Sequence, residues 1–250
     1  MLRGIYISSS GMSSQMTRQD VIANNMANVD TPGFKKDNLL ISSFPRFLVN
    51  RLDDEQDRGT NPYIGSFSLG SIPIGTVTDF SPGGIISTHR PLDLAIEGRG
   101  FFVLQTPQGT RYTRSGSFLL SSEGKIVTSQ GYALMGENGH LEVNGEEFYF
   151  NSQGELIVGG NIVNKLLIVD IDKKNLVKEK ETIFSVLPEA VILPSSDYNV
   201  RQGYLEISNV NIVKEMVEMI SGLRAYEANQ KVLTMQDESL GKLINESIRG

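Results

Sequence analysis

Between residues 212 and 244 the chain carries its strongest constraint. Ile212, Met216, Met219, Leu223, Tyr226, Gln230, Leu233, Asp237, Leu240 and Ile244 follow in alternating steps of four and three, and eight of the ten are apolar. That period puts them on one stripe of an α-helix, and no proline interrupts it. At ~1.5 Å per residue such a helix is on the order of 50 Å long. Glu227 and Lys231 add an i,i+4 pair in the favourable order. At the other end Ile5, Met12, Gln19 and Met26 recur every seven residues, with Ser9, Met16 and Ala23 four places after the first three. This predicts a second amphipathic helix, although Gly4 and Gly11 weaken its first turns.

The period changes between these ends. Residues 93–207 hold short β-rich runs, "DLAIE", "FFVLQT", "KIVT", "EEFYF", "ELIV" and "KLLIVDI", separated by turns such as Asn138-Gly139, Asn144-Gly145 and Gly159-Gly160. They predict a mainly antiparallel β domain with Phe101, Phe102, Phe118, Leu166 and Ile168 in its core, and Tyr112 and Arg114 on one strand face. Residues 37–92, with "DDEQDRG" and "NPYIGSFSLGSIPIG", read as an extended connection with strand-like pieces. The expected fold is therefore α+β: long N- and C-terminal helices packed as a coiled-coil-like pair, with an inserted mainly antiparallel β domain. The expected division is 1–36 with 208–250 helical, 37–92 connecting and 93–207 β-rich. A small β domain cannot cover a ~50 Å helix along its length. The helices must pair with each other, and their outer faces call for partners, as in a polymer subunit.

Catalytic chemistry finds no constellation. His89 and His140 lie far apart in sequence and there is no cysteine, so neither a transition-metal site nor any other cofactor site is expected. Adjacent Glu146 and Glu147 would point to opposite faces of a strand; Asp170 and Asp172 precede two lysines as a solvated strand end. Ser8, Ser9, Ser10, Ser13 and Ser14 have no nearby base, and "GRGFF" lacks the third glycine of a dinucleotide loop. A formal charge of −6 without a basic run argues against nucleic-acid binding. No run reaches the ~20 apolar residues of a membrane span, and the N-terminus has no signal-peptide h-region, so any export is expected to proceed without a cleavable signal peptide.

Three blocks carry a family resemblance. "DVIANNMANVDTPGFKK" (20–36) resembles the N-terminal signature of bacterial flagellar basal-body rod and hook proteins. "RPLDLAIEGRGFFVLQTPQGTRYTRSGSF" (90–118) and "GYLEISNVNIVKEMVEMISGLRAYEANQKVL" (203–233) are similar to the shared middle and C-terminal segments of the same family. The resemblance implies a non-enzymatic axial subunit of the flagellar basal body, outside the cytoplasm, with an inner tube of terminal helices and a β-rich outer domain. Its implied partners are copies of itself, other rod and hook proteins and the flagellar type III export apparatus; peptidoglycan contact is not expected. The length suits a distal or proximal rod subunit, with the distal favoured; a hook-related protein, or a glycan-binding β module oligomerised by helices, are the alternatives.

The stretch "NNMANVDTPGFKK" leaves a helix oddly, because asparagine competes with helical hydrogen bonding. Asn28 is expected to close the helix and Phe34 to anchor the departing chain. Asn24 and Asn25, ~100° apart, cannot both face one intrachain seam, so at least one is expected to meet another subunit. The expected assembly interface comprises Ile5, Met12, Met16, Ile22, Asn24, Asn25, Met26, Asn28 and Phe34. From the C-terminal region it takes Asn209, Asn211, Met216, Met219, Leu223, Tyr226, Asn229, Leu233 and Leu240.

Overall fold

The fold was taken from a computed structural model, which describes residues 2–50, 63–143, 147–195 and 197–249. The "DDEQDRG" run, the Asn144-Gly145 turn and Glu146 lie outside the described residues. Contacts divide the chain into two units: Met1–Met26 with Asp37–Val77 and Ile212–Gly250, and Ala27–Lys36 with Thr78–Asn211.

Two helices dominate the first unit, α1 (Leu2–Ala27) and α2 (Ile212–Arg249). They lie against each other as the expected coiled-coil-like pair. Gly4 pairs with Gln236, Gly11 with Asn229, Gln15 and Gln19 with Gly222, and Asn25 with Glu215, so the helices run antiparallel. The glycines that argue against a helix from sequence are thus sites where the other helix comes close. Beside the pair, Asp37–Ser43 pairs with Ser71–Thr78, and Arg46–Asn50 forms an antiparallel hairpin with Tyr63–Ser68. Ser14 Oγ donates to Ser71 O at 3.2 Å, which accounts for one of the serines of α1.

The second unit is built around strand Phe101–Thr106. It pairs antiparallel with Gly109–Thr113, Ala133–Gly136 and Ile168–Ile171, within a ten-stranded sheet. Successive side chains point to opposite faces, and this strand is buried on both. Phe102 and Leu104 enter a cluster with Phe118, Leu134, Leu156 and Leu166; Phe101 and Val103 enter another with Tyr112, Phe184 and Val169. That explains why "FFVLQT" reads as a continuous apolar run without alternation. Phe102 and Phe118 meet edge to face at 5.4 Å. All five expected core residues are buried. The Gly159-Gly160 turn joins Glu155–Val158 to Asn161–Lys165, and Asn138-Gly139 closes the hairpin of Ala133–Gly136 with Gly139–His140.

Truncating Phe102 removes an aromatic ring from a site with no solvent access. Phe102→Ala is expected to cost about 3–5 kcal/mol, read as a lower urea midpoint for loss of β signal in circular dichroism.

Candidate assembly surface and its buried junction

The helix pair has an inner seam and an outer face of opposite character. On α2 the buried and partly buried positions include Glu215, Met219, Gly222, Tyr226, Asn229, Leu233, Gln236 and Leu240, again in steps of four and three, with Glu218, Ala225 and Gly241 partly buried beside them. Half of the apolar stripe read from sequence lies here: Met219, Tyr226, Leu233 and Leu240. The other half, with Ile212, Met216, Leu223 and Ile244, is exposed. The seam is thus turned by roughly 60° from the apolar stripe. It was missed because glycine and amides, not apolar bulk, decide where the helices touch. Gly222, Asn229 and Gln236 are spaced by seven, as are Gly4 and Gly11, and that spacing was the available signal. On the face opposite the seam stand Val213, Val217, Ile220 and Met235, each more than half exposed. On α1, Ile5, Met12 and Met26 are partly buried and Ile22 is buried, whereas Tyr6, Ile7 and Met16 are exposed.

Asparagine 25 is buried, and its amide is spent within the chain. Nδ2 donates to Asp37 O at 2.9 Å, and Oδ1 accepts from Asp37 N at 3.0 Å. Nδ2 also reaches Glu215 Oε2 at 3.4 Å. A carboxamide is suited to this because it donates and accepts from one plane. Asn24 is exposed, and Asn28 is buried, accepting from Thr31 Oγ1 at 3.2 Å as the chain turns out of α1.

In the second unit, the segment 31–36 is held as tightly. Gly33 has φ 71°, and a side chain there would strike the backbone of Ser115, so only glycine fits. Phe34 is fully buried, with Lys178 Nζ 3.9 Å from its ring centroid. Lys35 Nζ donates to Glu206 Oε1 at 2.6 Å and to Ser81 O at 2.8 Å. The same carboxylate oxygen accepts from Gly83 N, and Arg114 Nη1 stands 3.5 Å from Glu206 Oε2. Arg114 lies just beyond strand Gly109–Thr113 and donates to Ile96 O and Gly98 O, so it does not share a strand face with Tyr112. Burial holds Lys35 below its usual range although Glu206 pulls the other way, and lowers Arg114 likewise. Asn209 completes the junction: it accepts from Lys36 N at 2.8 Å and donates to Asp79 O and Ser81 O. Asn211 is exposed, immediately before α2, where asparagine favours a helix start. From sequence Arg114 is named only as a strand-face neighbour of Tyr112, and its cluster with Lys35 and Glu206 is not foreseen, since nothing local in a lone lysine or glutamate reveals a distant partner.

The histidines do not build a site. His89 Nε2 lies 3.4 Å from Ser87 Oγ on an exposed loop, and His140 is exposed in its hairpin. Among the described residues no group of three His, Cys, Asp or Glu could hold a metal, and no helix is long and apolar enough to cross a membrane.

Known proteins agree over the whole length. Three family models match in order: Flagella basal body rod protein over residues 5–35, Flagellar hook protein FlgE/F/G D1 domain over 95–178, and Flagellar basal body rod FlgEFG protein C-terminal over 201–246. The flagellar basal-body rod protein FlgG of Bacillus subtilis is 33% identical, covering 98% of this chain and 99% of its own. This chain belongs to the flagellar basal-body rod family. The FlgG of Borreliella burgdorferi is 34% identical over 96% of the chain, and the flagellar hook-basal body complex protein FlhO of B. subtilis is 29% identical over 98%. The rod protein is accordingly an axial component of the basal body, FlgG-like and non-enzymatic, and its family membership implies assembly with other rod and hook subunits.

Two outcomes test the junction. Glu206→Gln leaves Lys35 buried without its counter-ion and is expected to cost about 3–5 kcal/mol, seen as a lower thermal midpoint. Between the lowered pKa of Lys35 and 10.5 the unfolded chain holds a proton that the folded chain has released. This lysine therefore makes stability rise with pH across that window. As pH rises toward 10.5, unfolding midpoints are expected to gain more, or fall less, in the wild type than in Lys35→Met.

Proposed function

We propose that this rod protein polymerises through the outward faces of its helix pair and that the resulting tube transmits torque from motor to hook. In this reading residues 1–36 with 208–250 form the inner tube, 93–207 the outer domain, and 37–92 the connection between them. The observation that carries it is the exposed apolar row on α2, Val213, Val217, Ile220 and Met235, flanked by Met216 and Leu223, together with Tyr6, Ile7 and Met16 on α1. Burying a Leu-sized side chain contributes roughly 1.5–3 kcal/mol. A row of them repeated in every subunit gives a stiff assembly with no chemistry required. Exposed apolar groups of this number mark a contact surface in a soluble chain.

The partners are copies of this chain and neighbouring rod and hook subunits. Export runs through the flagellar type III apparatus to the extracytoplasmic part of the basal body. A position in the distal rod fits the strands at 37–77, which expose Leu40, Ile41, Phe47, Leu48, Ile72 and Ile74.

Leu223 is exposed on its helix, so a charge there need not disturb the subunit's own fold. Leu223→Asp is expected to abolish rod assembly and swimming while the purified protein keeps its β signal and its melting transition. Normal swimming by this variant would overturn the reading.

A further inference from the structure

The seam between α1 and α2 makes its closest approaches through glycine against amide. A Cβ on Gly4 would displace the flexible end of Gln236, and one on Gly11 would stand 3.1 Å from Asn229 Nδ2, tighter than an ordinary contact. Gly4 and Gly11 are seven residues apart, as are Asn229 and Gln236. Two notches on one helix therefore receive two amides from the other with a single heptad phase. A slip of three or four residues would set Asn229 against Ile7, Ser8, Ser14 or Gln15, each with a Cβ where the amide now sits. A slip of a whole heptad would offer Asn229 a glycine again, at Gly4. It would also carry Glu215 away from Asn25, whose Nδ2 it now meets at 3.4 Å.

Polar groups in a helix interface specify register at some expense of stability, because a misplaced amide loses its fit. Glycine within a helix has the same character, since it lowers helix propensity. We infer that Gly4, Gly11, Asn229 and Gln236 set the phase of helix pairing and that Asn25 with Glu215 sets its absolute position, so that α1 and α2 of one chain pair in a single register. The pairing lies within the chain and does not depend on the polymer reading.

The test exchanges knob and hole without changing composition. Arg18 and Glu218 approach to 3.8 Å across the seam. The chain has no cysteine, so Arg18→Cys with Glu218→Cys gives one bismaleimide cross-link that reports register in the full-length protein. Gly11→Asn is expected to cut cross-link yield several-fold, and Gly11→Asn with Asn229→Gly to restore most of it. At the second notch Gly4→Leu should reduce the yield, and Gln236→Ala should relieve that loss. Helix content by circular dichroism separates a slipped pair from an unfolded one. Undiminished cross-linking in Gly11→Asn, or equal loss in the exchanged variant, overturns the inference. Normal cross-linking in a wild type that never enters rods would instead overturn the polymer reading and leave this one standing.

Discussion

One side-chain amide holds the end of α1, the start of the strand Asp37–Ser43 and the first turn of α2. Asn25 binds both backbone groups of Asp37 and touches Glu215. A buried amide with both ends satisfied is stabilising and directional, and one left half-satisfied is costly. The awkward helix end "NNMANVDTPGFKK" is therefore a fastening point, with Asn25 serving the helical unit and Asn28, Gly33, Phe34 and Lys35 serving the other.

The second fastening is ionic. Lys35, Glu206 and Arg114 lie far apart in sequence, yet they meet with little solvent access, and backbone groups of Ser81, Gly83, Ile96 and Gly98 take further hydrogen bonds, while Glu206 Oε2 faces Arg114 at 3.5 Å. Such a cluster contributes little net stability relative to an apolar core. Its effect is geometric, since each charge is costly in any other place. It fixes the path of residues 33–36 against Glu206, whose backbone carbonyl also accepts from Gly33 N at 2.8 Å.

The sequence was most legible where a single period dominates. Two helices, the antiparallel β region and its five named core residues follow from spacing and turn chemistry alone. The direction of the seam did not, because apolar residues on α2 populate two faces and the one turned inward is chosen by Gly222, Asn229 and Gln236. Of the asparagines and the phenylalanine expected at an assembly interface, Asn25, Asn28, Asn209 and Phe34 are engaged inside the chain. Sequence reveals that an amide needs a partner, but not whether that partner lies 12 or 173 residues away. The Lys35–Glu206 pair was invisible for the same reason.

The outward apolar row has a thermodynamic consequence. On the proposed polymer reading this surface is covered by neighbours, so mass action enters the stability of the helical unit. The β-rich unit exposes apolar side chains too, Ile162, Val191 and Leu193 among them, but its two buried clusters give it a core of its own. On the proposed reading one polypeptide therefore combines a stability that is largely intrinsic with one that rises with concentration, and a single melting temperature does not describe it.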